Sequence, residues 1–301
     1  MRVWLPDAEW AEDMPSGVDV DVYDGDGEPP STIEDVELYV PPYMAASPAP
    51  FEVMRSMPAL RLVQTLTAGV DNFLPYVPEG VTLCNARGVH DASTAELAVA
   101  LMLASLRGFP EFVRAQDRHE WASQPRPALA DRTVLIVGFG AVGAAVEARL
   151  AGFECTVLRV ARRPREGVAP MSGLAELLPR ADVVVLTVPM TDETVGLVDA
   201  SFLAAMRDGA LLVNVARGPV VVTDALLAEL EKGRLLAALD VTDPEPLPPA
   251  HPLWAAPGLL LSPHVGGNTS AFLPRARRLV AEQVRRYTLG EPLLNIIDGA
   301  Y

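Results

Sequence analysis

The stretch TVLIVGFGAVG, residues 133–143, decides the fold of the larger part of this 301-residue chain. Its apolar first half predicts a buried strand, and a GxGxxG spacing follows where a helix should begin. In this motif the glycines permit a tight turn, close approach of a pyrophosphate and packing of the helix on the strand. The helix N-terminus attracts phosphate through free N–H groups and its dipole. A dinucleotide-binding loop, rather than a glycine turn without a ligand, is therefore predicted at Gly138, Phe139, Gly140, Ala141, Val142 and Gly143.

Apolar strands and helical segments alternate regularly from residue 133 onward. The predicted strands are 133–137, 155–159, 182–188, 210–215, 236–241 and 259–262, and the predicted helices begin near 142 or span 174–178, 199–207 and 223–232. Strands that are apolar along their whole length indicate a parallel sheet with helices on both faces. We therefore predict an α/β fold with a Rossmann-type, doubly wound parallel sheet.

Shorter β-type runs occupy the first 95 residues. These runs are 2–5, 18–23, 36–40, 61–66 and 81–83, with one helix expected at 50–57. Short strands, helices and loops in this order indicate a second, smaller α/β domain.

A long apolar helix is predicted to begin at Ser93, because Ser93 and Glu96 have the spacing of a capping box. The helix runs to about Arg107 and is apolar on nearly every face, which indicates burial on all sides. Two arrangements satisfy this pattern. The helix lies at the centre of a homodimer, which we expect, or it is buried between two domains of one chain.

The composition excludes several classes of protein. Half of the residues are hydrophobic and 21% are charged, which is typical of a globular chain. A net charge of −15 would repel a nucleic acid, and the thirteen acidic residues among residues 1–60 indicate a solvated surface. No apolar stretch reaches the roughly 18 residues of a membrane span and no export signal is recognised, so a cytoplasmic protein is expected. Cys84 and Cys155 predict reduced thiols and no metal site.

Three polar residues follow three of the predicted strands: Arg217, Glu245 and His264. The carboxyl ends of parallel strands form the edge where open α/β sheets bind ligands. Histidine donates protons near neutral pH, a neighbouring carboxylate orients the ring, and an arginine binds a carboxylate or carbonyl oxygen. Each residue alone could be structural, as a loop contact, a strand-end cap or a solvated side chain. Together they predict an acid–base site beside the dinucleotide.

Several motifs together resemble the D-isomer-specific 2-hydroxyacid dehydrogenase family, in particular its glyoxylate and hydroxypyruvate reductases. They are TAGVDN (67–72), STAELAVALML (93–103), the glycine loop, NVARG (214–218), ALDVTDPEPL (238–247) and SPHVGG (262–267). The resemblance covers most of the chain except the first 50 or so residues. It implies that Arg217, Glu245 and His264 are catalytic and that His264 is the acid–base residue. It also implies a substrate carboxylate site at the backbone of Ala68, Gly69 and Val70.

The resemblance further implies how the domains and the cofactor site are organised. A flavodoxin-like substrate domain would comprise 1–95, completed by 283–301, and a dinucleotide-binding domain would comprise 96–282. Helix 93–107 would join the domains and pair two subunits. Asp240 would contact the nicotinamide carboxamide. The remaining cofactor contacts would be Thr187, Val188, Pro189, Ala216, Arg217, His264 and Gly266.

Two positions depart from the family pattern. NAD-using relatives carry an acidic residue at the end of the strand after the glycine loop, where this chain has Arg159, followed by Arg162 and Arg163. An acid there binds the ribose hydroxyls and repels a 2′-phosphate, whereas arginines bind that phosphate. We therefore expect NADP(H) to be preferred over NAD(H), chiefly through Arg159 and Arg162, unless these arginines form only a solvated loop. Thr187 stands where many relatives have histidine, and the sequence does not explain it.

The expected function is the reduction of small 2-oxo acids, with glyoxylate and hydroxypyruvate favoured. A formate dehydrogenase is disfavoured, because that branch carries an amide where this chain has Glu245. The alternative from another class is a non-catalytic, dinucleotide-sensing interaction protein, as among the corepressors of this fold. Neither reading includes a metal, a nucleic acid or a membrane as a partner.

Overall fold

The computed structural model describes residues 1–45 and 47–297. The chain divides into two compact units. One comprises Met1–His90 and the chain from Ser270 onward, and the other comprises Asp91–Thr269.

The first unit contains a five-stranded parallel sheet. Its elements in chain order are β1 (Arg2–Leu5), β2 (Asp19–Val22), β3 (Val36–Tyr39), α1 (Ala49–Glu52), β4 (Leu62–Gln64) and β5 (Thr82–Cys84), with short 3-10 helices at Ala8–Asp13 and Val53–Ser56. The helix expected at 50–57 is thus an α-helical turn followed by a 3-10 turn. The spatial order β2-β1-β3-β4-β5 is that of flavodoxin-like sheets.

The second unit contains a seven-stranded parallel sheet with helices between its strands. Its helices are α2 (Asp91–Arg107), α3 (Phe109–Asp117), α4 (Ala141–Leu150), α5 (Leu174–Leu177), α6 (Ala200–Ala205) and α7 (Thr223–Glu231). Its strands are β6 (Thr133–Val137), β7 (Thr156–Ala161), β8 (Ala169–Pro170), β9 (Val183–Leu186), β10 (Leu211–Asn214), β11 (Leu236–Leu239) and β12 (Leu259–Leu261). Helix α3 and strand β8 were not anticipated from the sequence.

The order of this larger sheet, β12-β11-β10-β9-β6-β7-β8, determines where a ligand can bind. The chain runs outward from β6 through β7 to β8 and then returns to the other side of β6 at β9. Such a reversal opens a crevice at the carboxyl ends of the two adjacent strands. Because Val137 of β6 pairs with Leu186 of β9, the glycine loop and Thr187 both begin at this crevice.

Both faces of the sheet are covered, as the apolar strands predict. Alternate residues of β6 belong to opposite cores. Leu135 and Val137 pack in one cluster with residues of α6 and α7, while Val134 and Ile136 pack in the other with residues of α2 and α4. The fold is the predicted α/β class, with a Rossmann-type sheet in one unit and a flavodoxin-like sheet in the other.

The beginning of α2 differs from the expectation. The helix begins at Asp91, so Ser93 lies inside it, and the Ser93 hydroxyl contacts the Thr269 hydroxyl at 2.8 Å. The predicted capping box is therefore wrong, because a tertiary hydrogen bond takes the hydroxyl that would have capped the helix. Glu96, Ala100 and Arg107 are exposed, so the helix of this single chain is not buried on every side.

The last helix, α8 (Phe272–Leu289), packs within the first unit. Its residues Phe272, Ala276, Val280 and Val284 join the core formed with β1 and β3. Because the whole of α8 packs there and α2 belongs to the second unit, the unit boundaries fall after His90 and Thr269. The boundaries expected from the sequence were 95/96 and 282/283, and residues 298–301 of the expected closing segment lie outside the described residues.

Within the described chain, no single helix is long and apolar enough to span a membrane. Helices α2 and α3 meet at a 63° bend and reach the required length and apolar composition only when taken together.

Candidate functional site

The glycine loop has the geometry that a bound pyrophosphate requires. Gly138 has a φ of +99°, and a Cβ there would lie 2.6 Å from the Val188 nitrogen. Gly143 leaves no room either, since its Cβ would lie 2.9 Å from the Gly138 oxygen. At Gly140, by contrast, a Cβ would meet no described atom within 4 Å, and no described side chain caps α4 there. The N-terminus of α4 therefore faces open space that a phosphate group fits.

A cavity of about 430 Å³ continues from this loop. It lies between the glycine loop, the chain after β7 and the chain after β9. Most of its walls are apolar, which suits the flat base of a dinucleotide. The residues that line it are Gly138, Phe139, Gly140, Ala161, Arg162, Arg163, Arg165, Met171, Leu174, Thr187, Val188, Pro189, Thr191, Glu193, Thr194 and Leu197.

Thr187 fastens the glycine loop to the neighbouring strand. Its hydroxyl donates a hydrogen bond to the Gly138 carbonyl oxygen at 2.8 Å. The Thr187 backbone N–H also donates to the Val137 carbonyl oxygen at 2.9 Å, which continues the pairing of β9 with β6. Thr187, whose role the sequence did not explain, thus holds the turn that precedes α4.

The arginines after β7 are placed differently from one another. Arg159 forms an ion pair with Glu147 of α4, and this hydrogen bond raises the pKa of the Arg159 guanidinium. Arg159 does not belong to the cavity wall, whereas the exposed Arg162 and Arg163 line it. The expectation that Arg159 leads the phosphate clamp is therefore not favoured by this geometry, because Glu147 already holds its guanidinium.

Arg165 is a cavity residue that sequence reasoning missed. Its Nη2 donates to the Phe139 carbonyl oxygen at 2.7 Å, and its guanidinium lies 5.3 Å from the centre of the Phe139 ring. The signal was present in the sequence as the fourth arginine of the run 159–165. The place of Arg165 in the cavity wall depends on its contact with the glycine loop, and sequence spacing does not reveal that contact.

His264 and Glu245 form a close pair at the carboxyl edge of the sheet. The His264 Nδ1 atom lies 2.5 Å from the Glu245 Oε1 atom, and both side chains are about one-third exposed. Burial raises the pKa of the Glu245 carboxyl, but the hydrogen bond and charge of His264 outweigh it, together with the Thr242 N–H and the charge of Arg217. The net pKa of Glu245 lies below its usual value, so this carboxyl is ionised near neutral pH.

Arg217 lies on the loop after β10, which Asn214 holds in place. The Asn214 side chain accepts from the Ala216 N–H at 3.0 Å and donates to the Arg217 carbonyl oxygen at 2.9 Å. The next residue, Gly218, passes so close to the Thr242 carbonyl oxygen that a Cβ would lie 1.9 Å from it. The loops that carry Arg217 and Glu245 are thus packed backbone to backbone.

Asp240 is buried beneath the histidine loop. Its carboxylate accepts hydrogen bonds from the Ser262 hydroxyl at 2.6 Å and from the N–H groups of Val265 and Gly266 at 2.9 Å each. Sequence reasoning assigned no role to Ser262.

Of the other expected cofactor contacts, Ala216 is buried in the loop after β10.

The expected carboxylate-binding loop belongs to the first unit and follows β4. The Thr67 hydroxyl donates to the Gly69 carbonyl oxygen at 2.6 Å, and the Asn85 side chain donates to the Ala68 carbonyl oxygen at 2.7 Å. Val70 is fully buried. The loop is therefore held by polar contacts to its carbonyl oxygens.

Neither Cys84 nor Cys155 lines the cavity. Burial raises the pKa of the Cys84 thiol to about 12, so this cysteine is protonated and unreactive. Across the described ranges no group of three His, Cys, Asp or Glu side chains could hold a metal ion.

Comparison with known proteins agrees with this geometry. Residues 99–266 match the family model described as "D-isomer specific 2-hydroxyacid dehydrogenase, NAD binding domain". A glyoxylate reductase of Thermofilum pendens is 34% identical over 257 residues, which cover 80% of this chain and 75% of the relative.

Several solved structures match nearly the whole chain. A D-isomer-specific 2-hydroxyacid dehydrogenase from Xanthobacter autotrophicus, in complex with NADPH, has a TM-score of 0.84 and 31% identity and covers 99% of this chain and 97% of its own. An NADPH-dependent glyoxylate/hydroxypyruvate reductase from Sinorhizobium meliloti, in complex with NADP, has a TM-score of 0.86 and 26% identity, with coverage of 99% and 98%.

The extent of these matches, together with the glycine loop at the sheet crevice, identifies an oxidoreductase that uses a nicotinamide cofactor. The chain belongs to the D-isomer-specific 2-hydroxyacid dehydrogenase family.

Proposed function

We propose that this protein reduces small 2-oxo acids to 2-hydroxy acids, of D configuration where C2 is a stereocentre, and catalyses the reverse reaction, with glyoxylate and hydroxypyruvate as the favoured substrates. The observation that carries the proposal is the 2.5 Å contact between His264 and Glu245 on the same sheet edge as Arg217. The named activity of the Thermofilum pendens relative supports this substrate class.

The chain's own residues perform the proton transfer and the binding of substrate. A bound nicotinamide supplies or accepts the hydride. His264 turns Nδ1 toward Glu245, which leaves Nε2 to donate a proton to the substrate's carbonyl oxygen. Glu245 stabilises the protonated imidazole and keeps the ring in one orientation. Arg217 binds a carboxylate or carbonyl oxygen of the substrate.

The cofactor is NADP(H) in preference to NAD(H), which remains the alternative cofactor. Two exposed arginines, Arg162 and Arg163, line the cavity where an acidic residue would exclude a 2′-phosphate. Arg165 adds a third guanidinium to the same wall. Arginine pairs with phosphate through two parallel hydrogen bonds, so this wall favours the phosphorylated ribose.

The protein is a homodimer with α2 at the centre of its interface. Ala100 of α2 is exposed, and the chain that follows α2 carries exposed apolar side chains at Phe109 and Val113. Trp121 is 97% exposed. Exposed apolar side chains on and after α2 support a surface that a second copy of the chain covers. Light scattering at micromolar concentration should give twice the chain mass of 32.2 kDa, and a monomer mass would contradict this interface.

The function is tested by following NADPH and NADH oxidation against a panel of 2-oxo acids. Turnover of glyoxylate or hydroxypyruvate with NADPH supports the proposal. Tight binding of the dinucleotide without turnover of any 2-oxo acid would instead support the non-catalytic, dinucleotide-sensing alternative.

A further inference from the structure

The backbone at His264 adopts a conformation that needs outside support. Its φ is +53°, in the left-handed region that residues with a side chain rarely adopt. Such a residue persists only where the surrounding structure holds it, and these conformations concentrate at functional sites. Since His264 also makes the close contact with Glu245, whatever holds its loop also determines where the imidazole points.

Asp240 supplies this support from both sides of the histidine. Its carbonyl oxygen accepts from the His264 N–H at 2.7 Å. Its carboxylate accepts from the Ser262 hydroxyl, two residues before the histidine, and from the N–H groups of Val265 and Gly266 after it. Asp240 therefore contacts the loop at every position from 262 to 266 except 263, which is a proline.

The carboxylate is well suited to hold a loop. Asp240 is only 3% exposed, and a buried carboxylate must be matched by hydrogen-bond donors. Hydrogen bonds from N–H groups to a charged oxygen are short and strong. Gly266 is also pressed against it, because a Cβ there would lie 2.9 Å from the Asp240 Oδ2 atom.

We propose that the hydrogen-bonded pair of Asp240 and Ser262 positions His264 for catalysis. Ser262 is a positioning residue: it fixes Oδ1 of Asp240, which also receives the Val265 N–H, and so keeps the imidazole in contact with Glu245. The family resemblance gives Asp240 only a contact with the cofactor and gives Ser262 no role. The inference rests on the proposed function, because it assumes that His264 is the proton donor.

The test is Ser262→Ala in the whole chain. This substitution removes one hydrogen bond to Asp240 and keeps the Asp240 carboxylate. The loosened loop should lower kcat for 2-oxo acid reduction by about tenfold, because small displacements of catalytic groups are costly. The fall of kcat at high pH should also move to lower pH, since the protonated imidazole loses part of its contact with Glu245. The dissociation constant for NADPH should change less than twofold. Ser262→Thr keeps the hydroxyl and should therefore show the kcat and the pH profile of the wild type.

A matched control comes from Ser201, whose hydroxyl donates to the Asp199 carboxylate at 2.7 Å at the exposed beginning of α6. Ser201→Ala should leave kcat and its pH profile unchanged. The chain has only four histidines, so ¹⁵N-histidine NMR adds a readout that needs no turnover. Ser262→Ala should alter the ring signals of His264 and leave those of the other histidines in place.

The outcomes separate this inference from the proposed function. If His264→Ala keeps near-normal turnover, the proposed function and this inference both fall. If His264→Ala is inactive while Ser262→Ala shows normal kcat, pH profile and ring signals, only the positioning role is overturned. Weaker NADPH binding with unchanged kcat and ring signals would likewise overturn it, because Asp240 would then act on the cofactor alone.

Discussion

Glu245 Oε1 lies 2.5 Å from His264 Nδ1, although the two residues are on different loops, after β11 and after β12. This contact affects the ionisation of the carboxyl. Burial raises the pKa of the Glu245 carboxyl, but the hydrogen bond and the charge of His264, with smaller contributions from Thr242 and Arg217, bring it below its usual value. An ionised carboxylate on Nδ1 stabilises a proton on Nε2, the nitrogen that can face a substrate.

Replacement of His264 by alanine should lower kcat for glyoxylate or hydroxypyruvate reduction by about a hundredfold or more, as expected for loss of a general acid. The affinity for NADPH should change little, because the imidazole lies outside the cavity wall formed with the glycine loop. Steady-state kinetics and direct cofactor titration measure the two effects separately. His119 is exposed and distant in sequence from the site residues, so His119→Ala serves as the control. Near-normal turnover of His264→Ala would remove His264 as the proton donor.

Glu245→Gln should change the pH dependence of the reaction. Reduction requires the protonated imidazole, so kcat falls as pH rises. The wild-type carboxylate has a lowered pKa and is ionised above about pH 4.3, the usual value for a glutamate, so it stabilises the imidazolium throughout the assay range. Without that charge, the fall of kcat should occur at lower pH. A pH profile identical to that of the wild type would show that the pair does not act in proton transfer.

The double variant Arg162→Ala/Arg163→Ala should lose the preference for NADPH. Each guanidinium–phosphate contact is a charge-assisted hydrogen bond worth about 1.5–3 kcal/mol, so kcat/KM for NADPH should fall by at least tenfold. The value for NADH should stay within about twofold, since that cofactor has no 2′-phosphate. Arg159→Ala should have a smaller effect, because Glu147 holds that side chain. The exposed Arg180, outside the cavity, provides the control, and preference for NADH in the wild type would contradict the phosphate clamp.

Thr187→Val should weaken dinucleotide binding while leaving kcat nearly unchanged. The variant keeps the shape of the side chain but removes the hydroxyl that donates to the Gly138 carbonyl oxygen. Loss of one such bond costs about 1 kcal/mol, which corresponds to roughly fivefold in the dissociation constant. Thr187→Ser should restore the affinity. Thr223 makes a similar bond to the Asp243 carbonyl oxygen on an exposed surface, and Thr223→Val should not alter cofactor affinity.

Local sequence patterns predicted the features of the fold that depend on local chemistry. The glycine turn follows from backbone geometry at Gly138, and the two-sided burial of β6 follows from its apolar sequence. Features that depend on distant partners could not be predicted in this way. The direction of Arg159 is determined by Glu147 on another element, and the hydroxyl of Ser93 is taken by Thr269, 176 positions along the chain.

The unit boundaries and part of the site also depend on residues that are distant in sequence. The apolar stripe of α8 is visible in the sequence, but its periodicity does not say which core receives it. Arg217, Glu245 and His264 were predicted to share one edge because parallel strands end on the same side of a sheet. The support given to His264 by Asp240 needed coordinates, since it depends on a left-handed backbone at the histidine.

Gln283→Leu should destabilise the first unit. Gln283 is fully buried on α8, where its Nε2 donates to the Gln64 Oε1 atom at 2.9 Å and to the Leu294 carbonyl oxygen at 3.0 Å. Its Oε1 accepts from the Leu294 N–H at 2.9 Å. Leucine fills similar space but leaves these three polar groups without their partner. Of the three, the Gln64 side chain is fully buried, and a buried group left unpaired costs about 1–3 kcal/mol.

The free energy of unfolding of the first unit should therefore fall by about 1–3 kcal/mol in Gln283→Leu. Denaturant titration followed by circular dichroism measures the change, and hydrogen exchange at Leu294 and Ile297 locates it. The Ile297 N–H donates to the Leu83 carbonyl oxygen at 2.8 Å, so loosening of this segment should expose both amides. Gln124 is exposed on a loop of the second unit, and Gln124→Leu should change neither quantity. If Gln283→Leu unfolds like the wild type and both amides remain protected, the Gln283 network does not hold the segment after α8 to the sheet.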